Sequence, residues 1–76
     1  MNKVRRKEIS KAMELVGQLK DTIQNVLDDE QDAYNNLAEN LQEGENGQKM
    51  QAAIDALESA VSSAEEIESY LEEASQ

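Results

Sequence analysis

Residues 50–74 read MQAAIDALESAVSSAEEIESYLEEA, the most regular part of the chain. Small and apolar residues recur there at alternating spacings of three and four: Met50, Ala53, Leu57, Ala60, Ala64, Ile67, Leu71 and Ala74. Such spacing places them on one side of an α-helix, and Ile54 and Val61 widen the stripe. The stripe keeps its phase throughout, so one continuous helix is predicted over about residues 48–74.

The first part of the chain carries a similar pattern. If Ile9 is heptad position a, the apolar residues fall on the three rows a, d and e: Ile9, Ala12, Met13, Val16, Leu19, Ile23, Val26, Leu27, Ala33, Tyr34 and Leu37. A stripe three rows wide is typical of a helix that faces the core of a bundle. A helix is therefore predicted over about residues 8–37.

The strongest turn signal separates these two helices. It is EGENG, residues 43–47, which contains two Gly and an Asn-Gly pair. The preceding NNLAENLQ is rich in Asn, which lowers helix propensity, so the first helix is expected to end between Asn36 and Gln42. With a loop over about 40–47, residues 1–76 form a single domain, a long antiparallel helical hairpin of the all-α class.

Two helices cannot cover stripes of this width by themselves. Dimerisation into a four-helix bundle, or a higher helical oligomer such as a coiled coil, is the simplest closure. A groove on another protein is the alternative. The expected core and oligomer contacts are Ile9, Val16, Leu19, Ile23, Val26, Leu27, Tyr34, Leu37, Met50, Ile54, Leu57, Val61, Ile67 and Leu71.

Charge is unevenly distributed along the chain. The net charge is −10. It is the sum of +3 over residues 1–27 and −13 over residues 28–76. Folding about residue 45 is expected to bring the basic N-terminal turns beside the acidic end of the chain and to favour the antiparallel register. The bases are Arg5, Arg6, Lys7 and Lys11, and the acids are Glu68, Glu72 and Glu73.

Residues 28–39, DDEQDAYNNLAE, place carboxylates at the side-chain ligand positions 1, 3, 5 and 12 of an EF-hand loop. The four residues are Asp28, Glu30, Asp32 and Glu39. Position 6 of such a loop is Gly because the backbone turns sharply there, and here it is Ala33. We interpret the stretch as acidic helix, with no metal site. Glu30 falls on a core row; it is expected to lie at the edge of the core, to pair with Lys20 or Lys49, or to form part of a recognition site.

Catalysis and cofactor binding have no support in the sequence. The chain has no His and no Cys, so the commonest general base and the thiolate nucleophile are missing. We predict a non-enzymatic protein without a cofactor. The net charge of −10 disfavours direct binding of nucleic acid. No apolar run approaches the length of a membrane span, and the N-terminus does not resemble a signal peptide, so a cytoplasmic location is expected.

The acidic side chains favour a protein partner with a basic surface, because carboxylates can occupy a site made for phosphates. The candidate partner surface comprises Asp28, Asp29, Asp32, Glu39, Glu43, Glu45, Glu58, Glu65 and Glu66. The simpler alternative is that these charges only keep a small oligomer in solution.

The stretches DDEQDAYNNLAENLQ and GQKMQAAIDALESAVSSAEE resemble small acidic helical-hairpin proteins of bacteriophages and mobile elements of Gram-positive bacteria. The resemblance covers about residues 20–72. It implies a helical hairpin and a mobile-element setting in a bacterial host, and it transfers no catalytic or ligand residues. In that type a Pro commonly precedes the ENLQ-like part; this chain has Ala38 there, which leaves the end of the first helix open.

Three functional hypotheses follow. The first is a phage-encoded inhibitor or adaptor, acting by protein–protein binding on a host defence or nucleic-acid-handling protein. The second is a purely structural helical bundle. The third is an oligomeric sponge for a small signalling nucleotide, which needs bases such as Lys20 or Lys49 turned inward at an interface.

Overall fold

The computed structural model describes residues 2–76, and every regular element in that range is helical. Helix α1 spans Lys3–Asn35, the short α2 spans Glu39–Gln42 and α3 spans Glu45–Ala74. The all-α class and the two long helices are confirmed. The boundaries differ from those predicted: α1 begins five residues earlier and ends two earlier, and α3 begins three residues earlier.

Helices α1 and α3 pack side by side in antiparallel directions. Lys20 Nζ lies 2.7 Å from Glu68 Oε1, and Gln31 and Tyr34, near the end of α1, meet Ile54 and Glu58, near the start of α3. A residue of α1 therefore faces a residue of α3 when their numbers sum to about 88. The pair is long and thin, with extents of 58 × 14 × 13 Å.

The seam between the helices is formed by heptad rows a and e of each helix, taking Ile9 and Met50 as position a. On α1 and at Leu37 just after it, the buried or half-buried residues of these rows are Ile9, Met13, Val16, Lys20, Ile23, Leu27, Glu30, Tyr34 and Leu37. On α3 they are Gly47, Met50, Ile54, Leu57, Val61, Ala64, Glu68 and Leu71. Leu27, Ile54 and Ala64 are the only buried apolar side chains of residues 2–76.

The larger side chains of the d rows do not belong to the seam. Three residues expected as core or oligomer contacts are therefore not part of the core of the single hairpin, and their role as oligomer contacts stays a prediction. Leu19, Val26 and Ile67 remain 52%, 49% and 45% exposed. The reason lies in side-chain size on α3. Its e row offers Ile54 and Val61 where its d row offers Ala53 and Ala60, and larger apolar side chains gain more from burial against α1.

The hairpin tip, residues 36–47, is held by hydrogen bonds and one close backbone approach. Gln42 Nε2 donates to the carbonyls of Tyr34 and Leu37 at 3.1 and 3.3 Å, which serves the unpaired end of α1. Asn46 and Gly47 were expected in the turn, but they lie in the first turn of α3. Gly47 is buried there because the backbone of Gln42 passes against it.

The first turns of α1 extend beyond the end of α3. By the register above, Ala74 lies level with about residue 14. Residues 3–11, the basic arm, therefore have no neighbouring helix, and all of them except Ile9 are exposed. The arm is helical because Asn2 Oδ1 accepts the Arg5 N–H at 2.8 Å and so caps α1.

This overhang overturns the expected pairing of Arg5 and Lys11 with the acids of α3. Glu68 is bound to Lys20, and within residues 2–76 the only other ion pair is Lys49–Glu45. The arm carries Lys3, Arg5, Arg6, Lys7 and Lys11 against the single acid Glu8. A net charge of +4 thus lies uncompensated at one end of the hairpin.

Candidate functional site

One broad side of the hairpin, the apolar face, is formed by the d and g rows of both long helices. In an antiparallel pair with matching seams, equivalent rows of the two helices lie on the same side. The b rows show this directly, since Gln31 of α1 lines one groove together with Gln51 and Glu58 of α3. The d and g rows must therefore share the opposite side. The apolar residues on it are Ala12, Leu15, Leu19, Val26, Ala33, Ala53, Ala56, Ala60, Ile67, Tyr70 and Ala74.

The apolar face is graded in side-chain size. Its half near the open end holds Leu15, Leu19, Ile67 and Tyr70, which are between 45% and 68% exposed. Its half near the hairpin tip holds four alanines together with Asp29 and Lys49, with Val26 between the two halves. The apolar side chains on this face therefore become smaller from the open end toward the hairpin tip.

The other broad side, the acidic face, is formed by the b and f rows. Between residues 14 and 35 and between 48 and 74 these rows hold seven acids and no base: Glu14, Asp21, Asp28, Asp55, Glu58, Glu65 and Glu72. Gln24 Nε2 donates to Asp28 and Gln51 Nε2 donates to Asp55, each at 3.0 Å. These amides hold two carboxylates in place without neutralising them.

The predicted partner surface is distributed over several parts of the hairpin. Asp28, Glu58 and Glu65 lie on the acidic face. Asp29 lies on the g row of α1 and so on the apolar face itself, and Asp32 and Glu66 lie on the outer edges. The remaining three, Glu39, Glu43 and Glu45, are exposed at the hairpin tip.

The four residues with calcium-loop spacing do not converge. Asp28, Glu30 and Asp32 occupy rows f, a and c of one continuous helix, and Glu39 belongs to α2. Within residues 2–76 no three acidic side chains are grouped closely enough to hold a metal ion. Glu30 is half-buried on the seam, and the lysines considered as its partners bind Glu68 and Glu45 instead.

Lys20 and Glu68 form a polar pair within an otherwise largely apolar seam. Their side chains are 28% and 30% exposed. The hydrogen bond to Glu68 raises the pKa of Lys20 above its ordinary value of 10.5, against a smaller opposing effect of burial. Such a pair fits only one relative position of the two helices, so it fixes their register.

Two shallow grooves lie on the described surface. The larger one, about 420 Å³, lies on the acidic face between Asn35 and Gln51. A smaller one, about 240 Å³, lies at the hairpin tip between Leu37, Leu41 and Gly44. Neither brings together a nucleophile and a base. In residues 2–76 no helix has the length and apolar character needed to cross a membrane.

The division of the surface into an apolar and an acidic side was missed in the sequence pattern, although a signal for it exists. The apolar stripes predicted from the sequence are too wide for two helices to cover, but these stripes leave out the g-row residues Leu15 and Tyr70, which widen the apolar side. The b and f rows, read alone, would have shown the absence of bases between residues 14 and 74.

Comparison of the chain with models of protein families, with curated proteins and with solved structures gives no match.

Proposed function

We propose that this protein acts by protein–protein binding, with two faces of different purpose. The apolar face associates with a second copy to complete a four-helix bundle, and the acidic face remains outside to bind a basic surface of a partner. The observation that carries this proposal is the separation itself: exposed apolar side chains on one side and seven unneutralised acids on the other.

The exposed surface supports self-association. The accessible area is 5748 Å². A compact monomer of 8.5 kDa exposes about 4,650 Å² by the usual scaling with mass, so the hairpin carries an excess of about 1,100 Å². A chain this small that buries three apolar side chains needs a further source of stability, and oligomerisation supplies one.

Leu19→Lys tests the self-association. It introduces a charge on the apolar face at a side chain already 52% exposed, so we expect the dimer to dissociate while the helices remain. Gln18→Lys is the matched control, because Gln18 is exposed on the adjacent outer edge. Sedimentation equilibrium measures the mass, and circular dichroism measures the helix content. A wild-type chain that is monomeric at about 100 μM, roughly the upper range of weak specific dimers, would contradict the proposal.

The charge density of the acidic face points to a partner with a compact basic patch. Seven acids over about 21 residues of helix correspond to roughly one charge per 5 Å at 1.5 Å rise per residue. Duplex DNA carries about one charge per 1.7 Å. We therefore propose a nucleic-acid-handling protein with a short Lys and Arg cluster as the partner, and inhibition of that protein, in the setting of a phage and its bacterial host, as the function.

Reversal of charge on the acidic face tests this part. The variant Glu58→Lys/Glu65→Lys changes two b-row acids, and Glu66→Lys/Glu73→Lys changes the net charge equally on the outer edge. We expect the wild-type chain and the edge variant to capture the same basic protein from a lysate of the host at 50 mM salt. The face variant should lose it, and so should the wild-type chain at 500 mM salt, because exposed charge pairs are screened.

Equal capture by both variants would contradict the acidic-face proposal and favour the structural bundle, which tolerates charge reversal on exposed faces. The sponge hypothesis receives less support from the contacts. Lys20 is engaged with Glu68, and the side chain of Lys49 is 74% exposed.

A further inference from the structure

We infer that the second copy lies antiparallel on the apolar face, so that the basic arm of each chain covers the acidic hairpin tip of the other. This inference rests on the proposed self-association and adds its direction and its electrostatic contacts. It commits the apolar face to a single occupant, a second copy of this chain.

Charge complementarity is the first reason. The basic arm carries a net charge of +4, while the tip and the end of α1 beside it carry Asp28, Asp29, Asp32, Glu39, Glu43 and Glu45 against Lys49. A parallel dimer would place two arms at one end and two acidic tips at the other, and like charges in contact are unfavourable. An antiparallel dimer places each arm beside a tip.

Side-chain size is the second reason, and it does not depend on charge. The large residues Leu15, Leu19, Ile67 and Tyr70 lie near the open end, and the alanines lie near the tip. An antiparallel dimer packs the large half of one copy on the small half of the other. A parallel dimer would pack large on large at one end and leave gaps at the other, and close packing disfavours both.

The position of the apolar face along the molecule is also consistent with an antiparallel dimer. The apolar face runs from Ala12 to Ala33 on α1, so its centre lies near residue 22. That point is about 29 Å from the start of α1 at 1.5 Å per residue, half of the 58 Å length of the molecule. Two copies related by a two-fold axis through this centre overlap along their whole length, and each arm lies level with residues 34–42 of the other copy.

The area is sufficient for a specific dimer. The apolar face is about 32 Å long and about 20 Å wide, the width of two helices. Both copies together therefore bury about 1,300 Å², which lies above the roughly 1,000 Å² expected of a specific interface. The arms add further contacts at both ends.

Charge reversal tests the arm–tip contact. The arm variant is Arg5→Glu/Arg6→Glu/Lys7→Glu, which should keep α1 folded because acids in the first turn of a helix are favourable. The tip variant is Glu39→Lys/Glu43→Lys. At 50 mM salt we expect each to weaken dimerisation of the full chain by tenfold or more, and an equimolar mixture of the two to form heterodimers more tightly than either forms homodimers.

Distances between spin labels test the direction independently. The chain has no Cys, so Val4→Cys and Asn25→Cys each provide a single labelling site. In the antiparallel dimer the Asn25 labels lie within about 25 Å of each other, and the Val4 labels, near the ends, lie about 55 Å apart by helix rise. In a parallel dimer both pairs would be within about 25 Å.

The outcomes separate the two levels of the proposal. A monomeric wild-type chain overturns the self-association itself. A dimer with short distances at both labels, or one indifferent to both charge variants, overturns the antiparallel arrangement and leaves the self-association standing. Long Val4 distances together with weakened homodimers support the inference.

Discussion

At the scale of single residues, Gly17 and Gly47 differ in what surrounds them, so glycine has a different effect at each position. Both are helical, but a Cβ at Gly17 would meet no atom within 4 Å, whereas a Cβ at Gly47 would lie 2.6 Å from Gln42 Cα. Gly17 only weakens α1, because Gly costs about 1 kcal/mol relative to Ala within a helix. Gly47 allows the hairpin tip to close.

The two substitutions to alanine should therefore have opposite effects. We expect Gly17→Ala to raise the free energy of unfolding by about 1 kcal/mol and Gly47→Ala to lower it by about 1–3 kcal/mol, since the backbone of Gln42 must move. Urea unfolding at one fixed protein concentration measures both, because dimerisation makes stability depend on concentration. Stabilisation by both variants would mean that the tip is not closed as described.

Lys20 and Lys49 offer a second matched comparison. Lys20 is half-buried against Glu68 in the seam, and Lys49 pairs with Glu45 on the exposed surface. Lys20→Glu places two acids face to face and should lower the melting temperature clearly, whereas Lys49→Glu should change it little. The exchange Lys20→Glu/Glu68→Lys should restore most of the loss, and a failure to restore it would show that the pair does not set the register.

The same pair predicts a dependence on pH. Glu68 raises the pKa of Lys20 in the folded state above 10.5, so the folded chain holds this proton more tightly than the unfolded chain. The stabilisation is fully present below pH 10.5 and is lost as the pH rises through the folded-state pKa. The melting temperatures of the wild-type chain and Lys20→Gln should therefore converge above pH 10.5, and a constant difference would contradict this.

At the scale of elements, the break between α1 and α2 falls at Ala38. Its backbone angles, φ −60° and ψ 144°, are those that proline adopts, and its N–H is not engaged in any hydrogen bond found within residues 2–76. A proline at position 38 would therefore fit the break that this chain makes with alanine.

Ala38→Pro should stabilise the hairpin by about 0.4–1 kcal/mol, because it restricts the unfolded chain without straining the folded one. Asn35→Pro is the control, since Asn35 is the last residue of α1, where proline removes a helical N–H donor and its ring meets the preceding turn; it should cost up to about 3 kcal/mol. Thermal unfolding followed by circular dichroism measures both. A loss of stability with Ala38→Pro would indicate that α1 continues past Asn35 in solution.

At the scale of the whole molecule, the hairpin is far from spherical. Its radius of gyration of 17.2 Å compares with about 11 Å for a compact chain of this length. Dimerisation side by side adds a second hairpin at a helix spacing of about 10 Å, so the mass doubles while the radius of gyration rises only to about 18 Å.

Small-angle scattering tests this prediction on the wild-type chain across a range of concentrations. We expect the forward scattering to double with little change in the radius of gyration. An end-to-end dimer would instead raise the radius of gyration well above 25 Å, since each half would lie about 29 Å from the common centre, half of the 58 Å length.

Local periodicity was enough to establish the two long helices and their apolar stripes, because a period of three and four follows from the geometry of a single helix. The acidity of the second half and the absence of His and Cys were likewise explicit in the sequence. The choice of rows for the seam was not. It depends on whether α1 packs on the e row of α3, with Ile54 and Val61, or on its d row, with Ala53 and Ala60. The difference in buried apolar area that decides this exists only in the packed pair of helices.

The uncovered basic arm and the outward-facing d-row side chains also result from tertiary contacts. The tip closes where Gly47 meets the backbone of Gln42, and the register follows from Lys20 and Glu68. Together these contacts leave residues 3–11 without a neighbour and turn Leu19, Val26 and Ile67 outward. The contact between Lys20 and Glu68 joins residues 48 positions apart, so no local pattern could specify the register that it sets.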